Sequence, residues 1–68
     1  MREKLIIARG DRTQQEVADK LGITQKHLSK IELGQRNPSI LLASKISDFY
    51  KLPVEYLFDD IFLKLNTP

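Results

Sequence analysis

The sequence has no cysteine, a single histidine and no long hydrophobic run. Without cysteine the chain can form neither disulfide bonds nor thiolate metal sites, although this absence does not identify the cellular compartment. No apolar stretch approaches the length that spans a membrane, and no secretory signal segment is recognisable. We therefore expect a soluble cytoplasmic protein that makes no membrane contact.

Residues for catalysis or metal binding are also lacking. His27 has no second histidine or cysteine with which to share a metal ion, so we expect no metal and no other cofactor. Ser29 is two residues away and points to a different face of a helix, so the two do not form a catalytic pair. The adjacent Asp59 and Asp60 are more simply interpreted as a solvated cap or turn than as a cation site. The sequence does not indicate an enzyme.

The 68 residues suffice for one domain with a small core. Charge is unevenly distributed: residues 1–47 carry nine Lys/Arg and five Asp/Glu, whereas residues 48–68 carry two and four. A basic front and an acidic back are typical of a protein that meets phosphates on one side. We expect a folded domain over residues 1–58 and a C-terminal tail over residues 59–68.

Local start and stop signals predict an all-α protein of five helices. Thr13 and Glu16 have the spacing of a capping box, and Thr24 and Ser39 are further capping residues. Gly22 lies where the chain must turn sharply, which favours a positive φ. The predicted helices cover residues 2–9, 14–21, 25–33, 40–50 and 53–58. The second and third form a helix-turn-helix, a motif that places its second helix in the DNA major groove.

Apolar residues at helical spacing predict the core and a surface beyond it. The expected inward-facing residues are Leu5, Ala8, Val17, Ala18, Leu21, Leu28, Ile31, Ile40, Ala43, Ile46, Tyr50, Leu52 and Leu57. The fourth helix and the tail carry more apolar surface than this core needs, and such surface usually marks an interface. We predict homodimer contacts at Leu42, Phe49, Ile61, Phe62 and Leu63. The alternative is that the tail folds back over its own helices.

With these elements in place, the sequence resembles the Xre/Cro family of phage-repressor-like helix-turn-helix regulators. The resemblance covers residues 5–58. It is carried by Thr13-Gln14, Glu16, Ala18, Gly22-Ile23, Leu28, Ile31-Glu32, Gly34, Arg36-Asn37-Pro38-Ser39 and Val54-Glu55-Tyr56-Leu57-Phe58. It implies a compact five-helix fold, sequence-specific binding to double-stranded DNA, dimerisation and control of transcription. The sequence departs from the family at Arg12, where an apolar residue usually precedes the Thr-Gln pair.

The resemblance also assigns roles to individual residues. It implies base contacts from one side of the third helix, at Gln25, Lys26, Ser29 and Lys30. Glutamine can pair with an adenine edge and lysine with guanine, although a solvated helix face is the simpler alternative. It implies phosphate contacts from Gln14, Thr24, Arg36 and Asn37, where ordinary capping and turn residues are the alternative. His27 flanks this surface.

Glu32 needs a partner, because an acidic side chain beside a DNA-binding surface is unfavourable unless it is paired. The resemblance implies a structural ion pair with an arginine of the first helix, and Arg9 is the candidate. Such a pair would hold the third helix in place and would have no catalytic role.

The leading hypothesis is a sequence-specific regulator, a repressor that binds an inverted-repeat operator as a homodimer. An antitoxin, which would bind a toxin protein as well as its own promoter, has the same fold and stays an alternative. A third hypothesis is a protein-interaction module that has lost DNA binding. That module would carry an acidic or apolar face on the third helix, whereas Gln25, Lys26 and Lys30 are polar or basic.

Overall fold

Five short helices begin and end close to the signals in the sequence. The computed structural model describes residues 1–62, with α1 (Glu3–Arg9), α2 (Gln14–Leu21), α3 (Gln25–Leu33), α4 (Ile40–Tyr50) and α5 (Val54–Leu57). The all-α prediction is confirmed over these residues, and the bounds of α2, α3 and α4 agree with the predicted ones. The outer helices are shorter than predicted, since α1 begins one residue later and Pro53 is the N-cap of α5.

Side-chain caps fix the starts of the three middle helices. The Thr13 hydroxyl accepts a hydrogen bond from the Glu16 amide at 3.1 Å, and the Glu16 carboxylate accepts one from the Thr13 amide at 2.8 Å. Thr24 and Ser39 cap α3 and α4 in the same way, each accepting one backbone amide. Gly22 ends α2 with a φ of 76°, a left-handed value that side chains disfavour. These contacts fix the turn between α2 and α3.

The five helices enclose one small hydrophobic core. Its buried members are Leu5, Val17, Ala18, Leu21, Leu28, Ile31, Leu42, Ala43, Ile46, Leu57 and Phe58. Ala8, Ile23, Phe49, Tyr50, Leu52, Val54, Ile61 and Phe62 are partly buried against it. No helix within residues 1–62 is both long and apolar enough to cross a bilayer.

Ile40 corrects the predicted core, because it was expected to face inward and is 79% exposed. It lies six residues before the buried Ile46, which is about 120° around a helix of 3.6 residues per turn. Leu41 is also on the outer side and is 74% exposed. The buried face of α4 instead includes Leu42 and Ala43, so the start of α4 presents two apolar side chains to solvent.

Arg12, where the sequence departs from the family that it resembles, lies over the faces of two aromatic rings. Its guanidinium carbon lies 5.2 Å from the Phe49 ring centroid and 5.5 Å from that of Tyr50. Its Nε and Nη2 donate to the backbone oxygens of Arg9 and Ala8. Arg12 therefore shields the aromatic pair and satisfies carbonyl groups at the end of α1. Burial raises the pKa of the Tyr50 hydroxyl beneath it.

Candidate nucleic-acid interface

One side of α3 is buried and the other is open to solvent. Leu28 and Ile31 are buried and anchor the helix in the core. The side chains predicted to face DNA bases lie on the remaining surface: Gln25, Lys26 and Lys30 are exposed and Ser29 is half-buried. Residues four apart on a helix are neighbours, so these positions form one continuous stripe. The stripe presents amide and ammonium groups, which can donate hydrogen bonds to base edges or phosphates.

A chain of hydrogen bonds holds two glutamines at the edge of this stripe. The Nε2 of Gln25 donates to the Oε1 of Gln14, and the Nε2 of Gln14 donates to the Oε1 of Glu32 at 2.8 Å. Gln14 is the first residue of α2 and Gln25 is the first residue of α3. The bond between the glutamines therefore joins the N-termini of the two helices.

Glu32 anchors this chain of hydrogen bonds from inside the domain. It is 1% exposed, and the structure pairs it with Arg9, whose Nε and Nη2 lie 2.9 Å and 3.1 Å from the two carboxylate oxygens. Two parallel bonds of this kind fix the geometry as well as neutralising the charge. The hydrogen bond to Glu32 raises the pKa of Arg9. The pair joins α1 to α3 and, through Gln14, to α2.

The four predicted phosphate contacts lie around the ends of these helices. Gln14 begins α2, and the exposed Thr24 caps α3 through its hydroxyl group. Arg36 and Asn37 are exposed in the loop between α3 and α4. Helix N-termini present unpaired amides that bind phosphate, and a loop arginine adds charge beside them.

Sequence reasoning missed Arg2, the one buried basic side chain among residues 1–62. Its guanidinium donates to the backbone oxygens of Ile31 and Arg36, to the Oδ1 of Asn37, and to both carboxylate oxygens of Asp60. The nearest of these partners is 29 residues away in sequence. No local pattern identifies such partners. The only feature of the sequence that pointed to this contact was the uneven distribution of charge, with basic residues near the N-terminus and carboxylates near the C-terminus.

Asp59 and Asp60 lie in a turn, as predicted, but both carboxylates are paired. The Oδ2 of Asp59 is 2.9 Å from the Nζ of Lys4, and the Oδ2 of Asp60 is 3.0 Å from the Nη2 of Arg2. They therefore join the C-terminal end of the domain to its N-terminal end. Within the described part of the chain, no three His, Cys, Asp or Glu residues group as metal ligands. His27 is half-buried on α3.

The α4 residues predicted at a dimer contact lie in two environments. Leu42 is 8% exposed and belongs to the core of its own domain. It is four residues before Ile46 and therefore shares its face. Phe49 is half-buried, with its ring edge-to-face on Tyr50 at 5.2 Å.

The predicted dimer residues of the tail lie beside the core where the structure describes them. Ile61 and Phe62 are half-buried and pack against the domain's own core. The Phe62 ring meets Phe58 edge-to-face at 6.4 Å. Leu63 lies outside the described residues. Phe49, Ile61 and Phe62 thus each combine a packed side with a solvent-exposed side.

Comparisons with known proteins assign the chain to a family, and the family profile covers the region that contains all five helices. A family profile described as helix-turn-helix matches residues 2–57. An uncharacterized HTH-type transcriptional regulator of Methanocaldococcus jannaschii is 39% identical over 46 residues, which are 68% of this chain and 70% of the relative. A second uncharacterized HTH-type transcriptional regulator, from Archaeoglobus fulgidus, is 38% identical over 50 residues, 71% of either chain. No solved structure matches this chain.

Proposed function

The chain belongs to the helix-turn-helix family of DNA-binding regulators, and we propose that it recognises a specific operator sequence and represses transcription. The observation that carries the proposal is the open side of α3. There Lys26 and Lys30 are exposed beside a glutamine that is already hydrogen-bonded in place. A helix face that is only solvated does not require Gln25 to be held by Gln14, which is held in turn by the buried Glu32.

In this proposal α3 lies in the major groove and its side chains read base edges. Gln25 pairs with an adenine, and Lys26 and Lys30 donate to guanine O6 and N7 or to a phosphate. Gln14, Thr24, Arg36 and Asn37 bind phosphates on either side of the groove and set the position of α3. Repression then requires only that the bound protein covers DNA that transcription needs.

The first prediction separates base contacts from phosphate contacts. Operators are selected from random duplex DNA, and affinity is then measured by titration on the selected and scrambled duplexes. We expect Gln25→Ala and Lys26→Ala each to lose about 1–3 kcal/mol on the selected site and to relax base preference. Gln14→Ala should weaken binding to both duplexes more evenly.

Lys20→Ala is the matched control for Lys26→Ala, because it removes the same charge from an exposed position on α2. It should leave base preference unchanged. In titrations at several salt concentrations, the slope of log affinity against log salt concentration should steepen by about 0.9 for each phosphate contact. Equal affinity of the wild-type protein for selected and scrambled DNA would refute a specific regulator. An unchanged preference in Gln25→Ala would refute the assignment of α3.

We further propose that the protein binds an inverted repeat as a homodimer. Two recognition helices must lie about 34–36 Å apart to reach successive major grooves, so the contact must lie between them. The surface formed by Phe49, Ile61 and Phe62 supports this proposal, since each side chain leaves apolar area in solvent after packing. Because Leu42 is buried in its own domain, it is left out of the proposed contact.

The second prediction tests this dimer. Phe62→Asp should shift the protein to monomer and weaken operator binding while retaining most helical circular dichroism, because an aspartate cannot be buried unpaired at an interface. Sedimentation at micromolar concentration gives the oligomeric state. Ile40→Asp is the control, since it places the same charge at an apolar position that is already 79% exposed. If Ile40→Asp dissociates the dimer and Phe62→Asp does not, the interface lies at the start of α4 instead.

A further inference from the structure

The guanidinium group of Arg2 makes five hydrogen bonds. A guanidinium carries five N–H donors in a rigid plane, and all five are used here. Nη1 donates to the backbone oxygens of Ile31 at 2.6 Å and Arg36 at 3.1 Å. Nη2 donates to the Oδ1 of Asn37 at 2.6 Å, and Nε and Nη2 together donate to Asp60.

These bonds join three parts of the chain that are distant in sequence. One is the end of α3, where the Arg2 amide also donates to the backbone oxygen of Glu32 at 2.7 Å. The second is the loop of Arg36 and Asn37, and the third is the segment after α5, where Asp60 lies. The Arg2 guanidinium also lies over the Phe58 ring, 5.5 Å from its centroid. The side chain is thus fixed by an aromatic face as well as by its hydrogen bonds.

The neighbouring ion pair provides a contrast within the same two segments. Lys4 and Asp59 are 2.9 Å apart. The side chains of Asp59 and Asp60 are similarly exposed, at 54% and 52%, but that of Lys4 is 42% exposed whereas that of Arg2 is 5% exposed. Lys4 donates to Asp59 and lies over the Tyr56 ring, and neither contact involves the loop after α3. The hydrogen bond from Arg2 lowers the pKa of the Asp60 carboxyl.

We propose that Arg2 is a positioning residue for DNA binding, which holds the loop of Arg36 and Asn37 in the geometry that meets the DNA backbone, and that Asp60 holds Arg2. The inference rests on the proposed function, because the loop matters only if it contacts phosphate. Because Arg2 donates to the Oδ1 of Asn37, the side-chain amide nitrogen of Asn37 is the group that can donate a hydrogen bond to a phosphate. Arg36 has its backbone oxygen held while its side chain stays exposed. Displacing Asp60 from Arg2 therefore weakens DNA binding from the opposite end of the chain.

The test compares Asp60→Asn with Asp59→Asn, two isosteric variants that remove the same charge from adjacent positions. On charge alone, removing a carboxylate should strengthen DNA binding slightly in both. We expect Asp60→Asn instead to weaken binding roughly three- to tenfold. In this variant the loop side chains are no longer held in place before binding, so the entropy cost of ordering them reduces the affinity. Asp59→Asn should bind as well as wild type or slightly better. Base preference should be retained in both, since neither variant changes the exposed side chains of α3 that are proposed to contact bases.

Arg2→Lys provides a second variant, because it keeps the positive charge and loses the five-donor plane. It should weaken binding as Asp60→Asn does and lower the salt slope by up to about 0.9 for a lost phosphate contact. All titrations are made at a temperature where circular dichroism shows each variant fully folded. Equal binding by folded Asp60→Asn and Asp59→Asn would overturn the positioning role.

Hydrogen exchange in the DNA-free protein separates this inference from the proposed function. The amides of Gln35 and Arg36 both donate to the backbone oxygen of Lys30, at 2.9 Å and 3.3 Å. Their exchange should be faster in Asp60→Asn than in Asp59→Asn if Asp60 helps to hold the loop through Arg2. Equal exchange would overturn the role of Asp60 whatever the DNA result. A wild-type protein that binds no selected DNA would overturn the proposed function, and with it the role of Arg2 in binding.

Discussion

Replacing Phe58 with alanine should destabilise the domain more than any other single truncation proposed here. Phe58 is fully buried and is the largest such side chain in the described part of the chain. Truncating a buried phenylalanine costs about 3–5 kcal/mol through lost apolar contact and the cavity that remains. Domains are stable by roughly 0.05–0.15 kcal/mol per residue, so the variant should be close to unfolding at room temperature. Urea denaturation followed by circular dichroism measures the loss.

Tyr56→Ala is the matched control for this experiment. Tyr56 lies on α5, two residues before Phe58, but it is 45% exposed and its ring contacts Lys4, whose side chain is 42% exposed. Its truncation should cost less than about 1 kcal/mol, since only a solvent-exposed cation–π contact and partial burial are lost. A similar loss in the free energy of unfolding for the two variants would contradict the placement of Phe58 in the core.

Replacing Glu32 with alanine should have the second-largest effect on stability. It removes the buried carboxylate that accepts from both Arg9 and Gln14. Breaking a fully buried pair costs about 3–5 kcal/mol, and we expect about 2–3 here because Arg9 keeps some access to water. The Arg9 side chain is 18% exposed. The midpoint of thermal unfolding should fall accordingly.

A double-mutant cycle measures the interaction itself. Glu32→Ala combined with Arg9→Ala should show a coupling above about 0.5 kcal/mol, whereas distant residues contribute additively. Asp19→Ala is the control partner, because Asp19 is an exposed carboxylate that accepts from Gln15. It should show no coupling to Arg9→Ala. Zero coupling for Glu32 would mean that Arg9 does not hold this carboxylate in solution.

The effect of Glu32→Ala on DNA binding should follow from the same contacts. Without Glu32, Gln14 loses the acceptor that orients its side chain, and Gln25 loses a fixed partner in turn. DNA binding should therefore weaken even at temperatures where the variant is folded. The glutamines themselves remain, so the preferred operator should not change.

The elements that the sequence predicted are those set by local physical chemistry. The capping groups of Thr13, Thr24 and Ser39 act within one turn of their own helices, and their hydrogen bonds fix where α2, α3 and α4 begin. Gly22 and Gly34 end α2 and α3 in left-handed conformations that glycine adopts without strain. The stripe of Gln25, Lys26, Ser29 and Lys30 follows from helical spacing once α3 is placed.

Predictions were weaker where the direction of a helix face had to be chosen. Ile40 was expected in the core and Leu42 beside it, but Leu42 is buried and Ile40 is exposed. Apolar residues occupy almost every early position of α4, so several faces look equally hydrophobic in the sequence. Only the packing of α4 against α2 and α5 selects one of them.

The sequence by itself determined the helices, the turn between α2 and α3 and which polar side chains lie on the open side of α3, because caps and helical periodicity act between residues close in the chain. The resemblance implied the pair of Arg9 and Glu32, but only the tertiary structure decided the partners of Arg2. Arg2 and Asp60 are 58 residues apart, and either could have paired with several other ions of the chain. The strength of an ion pair depends on distance and burial, which exist only after the helices have packed. For that reason the contacts that hold the loop beside α3 followed from the fold and not from any motif.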